Sequence, residues 1–190
     1  MKETKSDLAP GFFTADQVVR MTMSTGITAI DELLGGGLEA GLVHLFYGSR
    51  TLHEDLLKMA VHAQIPEAKG GLESPTIIID SANMLKIEKL TDYSFDFELQ
   101  PEEVMDNVYI TRAFNSSQTY DIVMNQLEEF FARVPAKLMF VTGLPDLYIK
   151  EGMTGENAQQ ITHMATRLMT FTLQKGIFTV ITAPSSDRNR

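Results

Sequence analysis

Cysteine is absent from the 190 residues, which excludes disulfides, thiolate zinc sites, iron–sulfur clusters and a cysteine nucleophile. Basic residues are in deficit: 16 Lys and Arg stand against 25 Asp and Glu, giving a formal charge of −9 and a pI near 4.9. Attachment to phosphate backbones depends on clustered Lys and Arg, so direct DNA binding is expected to be weak or absent. No apolar run approaches the ~18–20 residues that span a bilayer. The N-terminal MKETKSDLAPG has no apolar signal region. The expectation is a cytoplasmic protein without membrane contact. What is present, 44% hydrophobic and 22% charged residues in 21.2 kDa, suits one domain with a single sizeable core.

Residues 1–11 are polar, carry Pro10 and Gly11 and lack periodicity, so they are expected to form a flexible tail ahead of a single domain over 12–190. Short apolar runs at 42–47, 76–80, 108–112, 137–142 and 177–182 read as five buried strands, because strands covered on both faces show continuous Val, Ile, Leu and Phe. Between them lie apolar stripes at helical spacing. Leu52, Leu56, Met59, Ala60 and Ala63 form one stripe; Tyr120, Val123, Leu127, Phe130, Phe131 and Val134 form another. A third runs through Ile161, Met164, Ala165, Leu168 and Phe171 and is expected to stop at Gly176. Strands alternating with such helices predict an α/β fold with a mainly parallel sheet and helices on both faces.

The junction of the first strand with its helix reads HLFYGSRTLHED over 44–55. A phosphate-binding loop would sit there, with Gly, four residues, then Gly-Lys-Ser/Thr. Gly48 is present, but the three later positions hold His53, Glu54 and Asp55. A carboxylate ~4 Å from a phosphate oxygen costs about 4 kcal/mol at an effective dielectric of ~20, and the missing lysine adds a similar unfavourable term. Thr51-Leu-His-Glu54 also fits the capping-box pattern Thr-x-x-Glu, and Glu54 with Asp55 place negative charge at the positive end of the helix. The expectation is a degenerate nucleotide site occupied by the protein's own carboxylates, with no cofactor.

His44, His53, His62 and His163 have no metal-ligand spacing, and Ser185 with Ser186 lack a His/Asp pair. Gly35–Gly37 precede a strand rather than a helix and read as a helix stop and turn.

Taken together, these segments resemble the RecA-type recombinase core, most closely archaeal RadA and the eukaryotic strand-exchange branch. The approach segment STGITAIDELLGGG (24–37), Gly48, the Gln64-Ile-Pro66 and Gly70-Gly71 segments, NVYITRAFN (107–115) and FTVIT (178–182) carry the likeness in family-like order. It spans about Gly11 to Pro184. The resemblance implies a RecA-like core shortened at its C-terminal side, and an archaeal source. It also makes the departures informative. Ala82 stands where the family carries the Glu that activates water, and Thr142 where it carries the magnesium-associated Asp. Ala183-Pro184 replaces the Asn-Gln that senses the terminal phosphate. Joint loss of these groups removes binding, activation and charge stabilisation of phosphoryl transfer, so no ATPase is expected. The segment matching the first DNA loop offers Lys150 against Glu151 and Glu156, and beyond the last strand only Arg188 and Arg190 are basic.

Phe12-Phe-Thr-Ala15 fits the Phe-x-x-Ala motif by which such recombinases link into filaments. The resemblance implies that Phe12 and Ala15 anchor in two small cavities on a neighbouring core. The family's receiving surface corresponds to the 107–115 strand and the next helix, where Thr111, Gln126 and Glu129 are more polar than such a surface requires. The reading that follows is a non-catalytic RadA/RecA paralogue that regulates homologous recombination or DNA repair by binding a RecA-family protein or itself. Two alternatives stand beside it: a RecA-like signalling protein binding nucleotide at an altered phosphate site, and a stand-alone homo-oligomer with an unrelated partner.

Overall fold

The computed structural model describes residues 21–48, 51–81 and 83–184. The expected tail over 1–11 and residues Phe12, Ala15, Ala82, Arg188 and Arg190 lie outside the described residues.

The described residues open with a short antiparallel pair, β1 (Thr22–Met23) and β2 (Leu38–Glu39), enclosing helix α1 (Thr28–Leu34). Asp31 organises this segment. Its carboxylate accepts hydrogen bonds from the Ser24 hydroxyl (2.6 Å), the Thr25 amide (2.8 Å) and the Thr25 hydroxyl (2.7 Å). Gly35 then ends α1 in the left-handed conformation (φ 73°), as its position in the sequence predicts. A side chain on Gly37 would place its Cβ 2.1 Å from the Met23 carbonyl, so only glycine lets the two strands approach. The local sequence Ser-Thr-Gly…Asp…Gly-Gly-Gly is therefore a self-contained fold instruction.

Burial opposes ionisation of Asp31, but the bonds from Ser24 and Thr25 outweigh it and hold the carboxyl below its ordinary range. A lowered folded value means that the stability contributed is present above the unfolded value and fades as pH falls through the folded one. Asp31→Ala is expected to cost about 2 kcal/mol near neutrality and less at pH 3. Urea unfolding at the two pH values checks this.

The main sheet has five strands, all parallel: β3 (Val43–Gly48), β4 (Thr76–Asp80), β5 (Val108–Arg112), β6 (Leu138–Thr142) and β7 (Phe178–Pro184), in the order β3-β7-β6-β4-β5. The expected α/β architecture, a parallel five-stranded sheet with helices on both faces, is what the chain adopts. In β4 and β6 every residue is buried, which is why their sequences run apolar without alternation. Ile78, Phe140 and Val180 point into one core with helix α2 (Leu52–His62) and with α3 (Lys89–Asp96) and α4 (Pro101–Asp106). Ile79, Val141 and Ile181 point into the other, against α5 (Ser116–Asp121), α6 (Leu127–Arg133), α7 (Asp146–Glu151) and α8 (Gly155–Lys175).

The stripe from Tyr120 to Val134 is helical as expected but not uniformly α: a π turn at Ile122–Gln126 separates α5 from α6. Asp121 holds this wider turn by accepting from the side chains of Asn125 (2.7 Å) and Gln126 (2.6 Å). Among the described residues, no helix is long and apolar enough to cross a membrane.

The consequence of the all-parallel sheet is that β3, β4, β5, β6 and β7 deliver their C-terminal residues to one edge. In α/β sheets that edge is where ligands bind.

Candidate functional site

Register assembles the site. Gly48 at the end of β3 lies beside Pro184 of β7, and Asp80 at the end of β4 lies between Thr142 of β6 and Arg112 of β5. The first turn of α2 then presents His53, Glu54 and Asp55 over these strand ends.

His53 is buried, and its Nε2 is 3.4 Å from the Thr182 hydroxyl, which accepts the Gly143 amide at 2.9 Å. The imidazole thus takes up space and hydrogen-bonding capacity at the end of β7. Glu54 turns outward and pairs with Lys86 at 3.1 Å. Burial, aided by the neighbouring Glu54 charge, pushes the Asp55 carboxyl above its ordinary range. A cavity of about 410 Å³ lies alongside, lined by Thr51, His53, Glu54, Met84 and Lys86. Glu54, expected to fill a phosphate site, instead lines this cavity with its charge paired to Lys86.

The expected capping box at Thr51 does not form. Thr51 already has helical backbone angles (φ −62°, ψ −22°) and makes no side-chain capping bond, whereas a capping hydroxyl needs an extended residue. Thr154, at the start of α8, shows the contrast: with φ −111° and ψ 170° it accepts the Asn157 amide at 3.1 Å.

At the centre of the sheet edge, Asp80 is fully buried. Its Oδ1 accepts the Thr142 hydroxyl at 2.9 Å and, at 3.4 Å, the Met84 amide; its Oδ2 faces Arg112 Nε at 3.4 Å. The latter is an ion pair without hydrogen-bond geometry, since Oδ2 has no hydrogen-bond donor. The buried carboxylate is therefore balanced by a guanidinium and a hydroxyl. Among the described residues, no three His, Asp or Glu side chains converge to hold a metal ion. Chemically, the strand ends offer a closed polar cluster. Asp80 and Lys86 were not singled out from the sequence, because the first reads as the end of an apolar run and the second as one more surface lysine. Only the register Asp80↔Thr142 and Asp80↔Arg112 reveals the cluster.

The opposite edge strand, β5, borders a cavity of about 370 Å³ that includes Ile77, Tyr109, Thr111, Phe130 and Val134 in its lining. Thr111 is where the sequence placed it. Gln126 and Glu129 do not line it; Gln126 is held by Asp121, and Glu129 pairs with Arg133. The polar groups in the lining instead include Thr111 and Arg133, the latter carrying Glu129 as its ion-pair partner. The segment after β6 forms α7, and Glu151 at its end accepts from the Ser116 amide and hydroxyl. Those bonds hold the Glu151 carboxyl below its ordinary range. The anion is tied to the start of α5 and adds negative charge beside Lys150.

Two comparisons with known proteins bear on this arrangement. The family model described as Rad51 matches residues 16–184. The DNA repair protein RAD51 of Mycosarcoma maydis is 32% identical over 168 residues, which is 85% of this chain and 49% of that protein. The chain thus spans about half the length of that protein.

Proposed function

Because the chain belongs to the Rad51 family, with its RecA-type recombinase core, we propose that it is a non-catalytic member acting in homologous recombination or DNA repair by binding a RecA-family protein through Phe12 and Ala15. The observation that carries the reading is the neutralisation of the strand-end site. Where phosphoryl transfer needs a free lysine, a hydroxyl and a magnesium-associated carboxylate, the chain has Glu54 paired with Lys86, Asp55, and Thr142 bonded to Asp80. With chemistry removed from the sheet edge, partner recognition is the function left to the family's core. The name of the relative, a DNA repair protein, supports placing that recognition in repair.

Phe12 is the main anchor. Aromatic side chains filling small cavities dominate binding energy, and truncating one costs about 3 kcal/mol, or roughly 100-fold in affinity. Light scattering of the chain mixed with the RecA-family recombinase of its own organism, without DNA, tests this. Complex formation by the wild type and its loss in Phe12→Ala are expected. Absence of any complex with the wild type overturns the proposal.

A further inference from the structure

Two histidines hold the β1–α1–β2 unit (22–39) against β3 and α2, and each does so as a neutral ring. His44 of β3 accepts the Glu39 amide on its Nε2 at 3.3 Å. An amide donates only to an unprotonated ring nitrogen. The bond therefore belongs to the neutral imidazole, and protonation of Nε2 would set two donors face to face. His62, near the end of α2, is buried against the turn between β1 and α1. A Cβ on Gly26 would fall 2.7 Å from the His62 ring, and one on Gly70 3.6 Å from its Cε1. Phe97 meets the ring edge-on at 5.2 Å. Among the described residues, the His62 Nδ1 has no hydrogen-bond partner. A charged imidazole carries N–H on both nitrogens, so protonation would leave a buried donor unmet.

We infer that His44 and His62 form a pH-sensitive latch: protonation of both rings releases the β1–α1–β2 unit from β3 and α2 while the main sheet stays folded. Met23 and Leu38, both buried in the core, keep the unit docked while the rings are neutral. The latch is a property of this unit and goes beyond the proposed partner binding.

The groups facing the two rings set the direction. Glu39 of β2 and the Thr179 backbone of β7 face His44. Asp31 of α1 and the Ser24 backbone face His62. Lys58, one turn back on α2, lies 5.8 Å from the Phe97 ring and pairs with Asp96 at 3.8 Å. Burial holds both imidazoles below their ordinary range, against the pull of the facing carboxylates and backbone groups. In the released unit both rings return to water and titrate near about 6.5. Between that value and the lowered ones, the open state binds more protons than the closed state, so its population grows as pH falls. Asp31, held below its own ordinary range, stays ionised throughout and does not drive the change.

Hydrogen exchange of the full chain, followed by mass spectrometry near pH 7.5 and near pH 5.5 and corrected for intrinsic exchange rates, tests the latch. Amides of 22–39 are expected to lose protection at least about tenfold at the lower pH, while those of β4 and β6 keep theirs. Unchanged protection over 22–39 overturns the inference, as does an equal loss throughout the chain. The double variant His44→Asn with His62→Gln keeps polar side chains that do not titrate, and it is expected to abolish the difference between the two pH values. A difference that persists in the folded double variant also overturns it. Should that variant fail to fold, titration of the wild-type histidine ring resonances by NMR decides. Both rings are expected to titrate below about 6.5, and a value at or above it for either ring overturns the latch.

Discussion

Titrated with Mg-ATP in a calorimeter, the chain is expected to give no binding heat at millimolar ligand. The argument is electrostatic and begins at Glu54. That residue occupies the place in the loop where a phosphate-binding lysine would stand. A carboxylate at ~4 Å from a phosphate costs about 4 kcal/mol, and the lysine's missing attraction is of like size. Together they remove about 8 kcal/mol, close to six orders of magnitude in affinity. Lys86 does not restore the balance. Its ammonium sits 3.1 Å from Glu54, so a phosphate that recruits it strips Glu54 of its counter-ion. His53 closes the remaining route, since its ring is buried against Thr182 where a nucleotide-binding loop has glycine and needs close backbone approach. Replacing His53→Gly, Glu54→Lys and Asp55→Thr together is expected to restore some binding but no hydrolysis, because Thr142 and Ala82 are unchanged. Micromolar affinity in the wild type would sink this reading and favour the altered-mode nucleotide binder.

The five strands are legible in the sequence because a parallel sheet buried on both faces demands unbroken apolar runs. Residues 76–80 and 108–112 have the expected limits in the structure, while β6 starts one residue later and β7 runs through Pro184. Helix stops at Gly35 and Gly176 are equally legible, since each carries a positive φ (73° and 63°) that glycine supplies without strain. The β1–β2 pair and the short helices α3, α4 and α7 escape pattern reading. Two-residue strands and helices of six to eight residues are too short to establish a period, and tertiary packing decides them. The capping box at Thr51 fails for a related reason: a four-residue pattern specifies side chains, whereas the cap depends on a backbone conformation that it does not fix.

The candidate site divides in the same way. Its negative features, the missing lysine, hydroxyl and metal carboxylate, are visible at single positions in the chain. What replaces them is not, because Asp80, Thr142 and Arg112 are far apart in sequence and meet only through the registers of β4 with β6 and β5. Pairings of this kind are a property of the sheet. The Glu54–Lys86 contact likewise bridges 32 positions.

Thr142→Asp, the substitution that would reinstate a carboxylate at the end of β6, is expected to destabilise the chain by about 4 kcal/mol at neutral pH. The hydroxyl of Thr142 donates to Asp80 at 2.9 Å, and both side chains are fully buried. The substitution exchanges that donor for a second acceptor and a second negative charge. Arg112 is positioned for one carboxylate, at 3.4 Å from Asp80 Oδ2, and cannot neutralise two. Carboxyls in contact hold one proton between them, so the folded variant binds a proton that the unfolded chain has already released near pH 7. The unfolded state then carries fewer protons, and stability falls as pH rises from about 4 towards 7. Urea unfolding across that range checks both magnitude and sign. The same titration with magnesium present gives the test its force. A closed cluster predicts no recovery, because Thr142→Asp supplies charge without the vacant coordination sphere that a hydrated cation needs. Full recovery in millimolar magnesium would mean that the strand ends still form a metal site and that Thr142 alone keeps it empty.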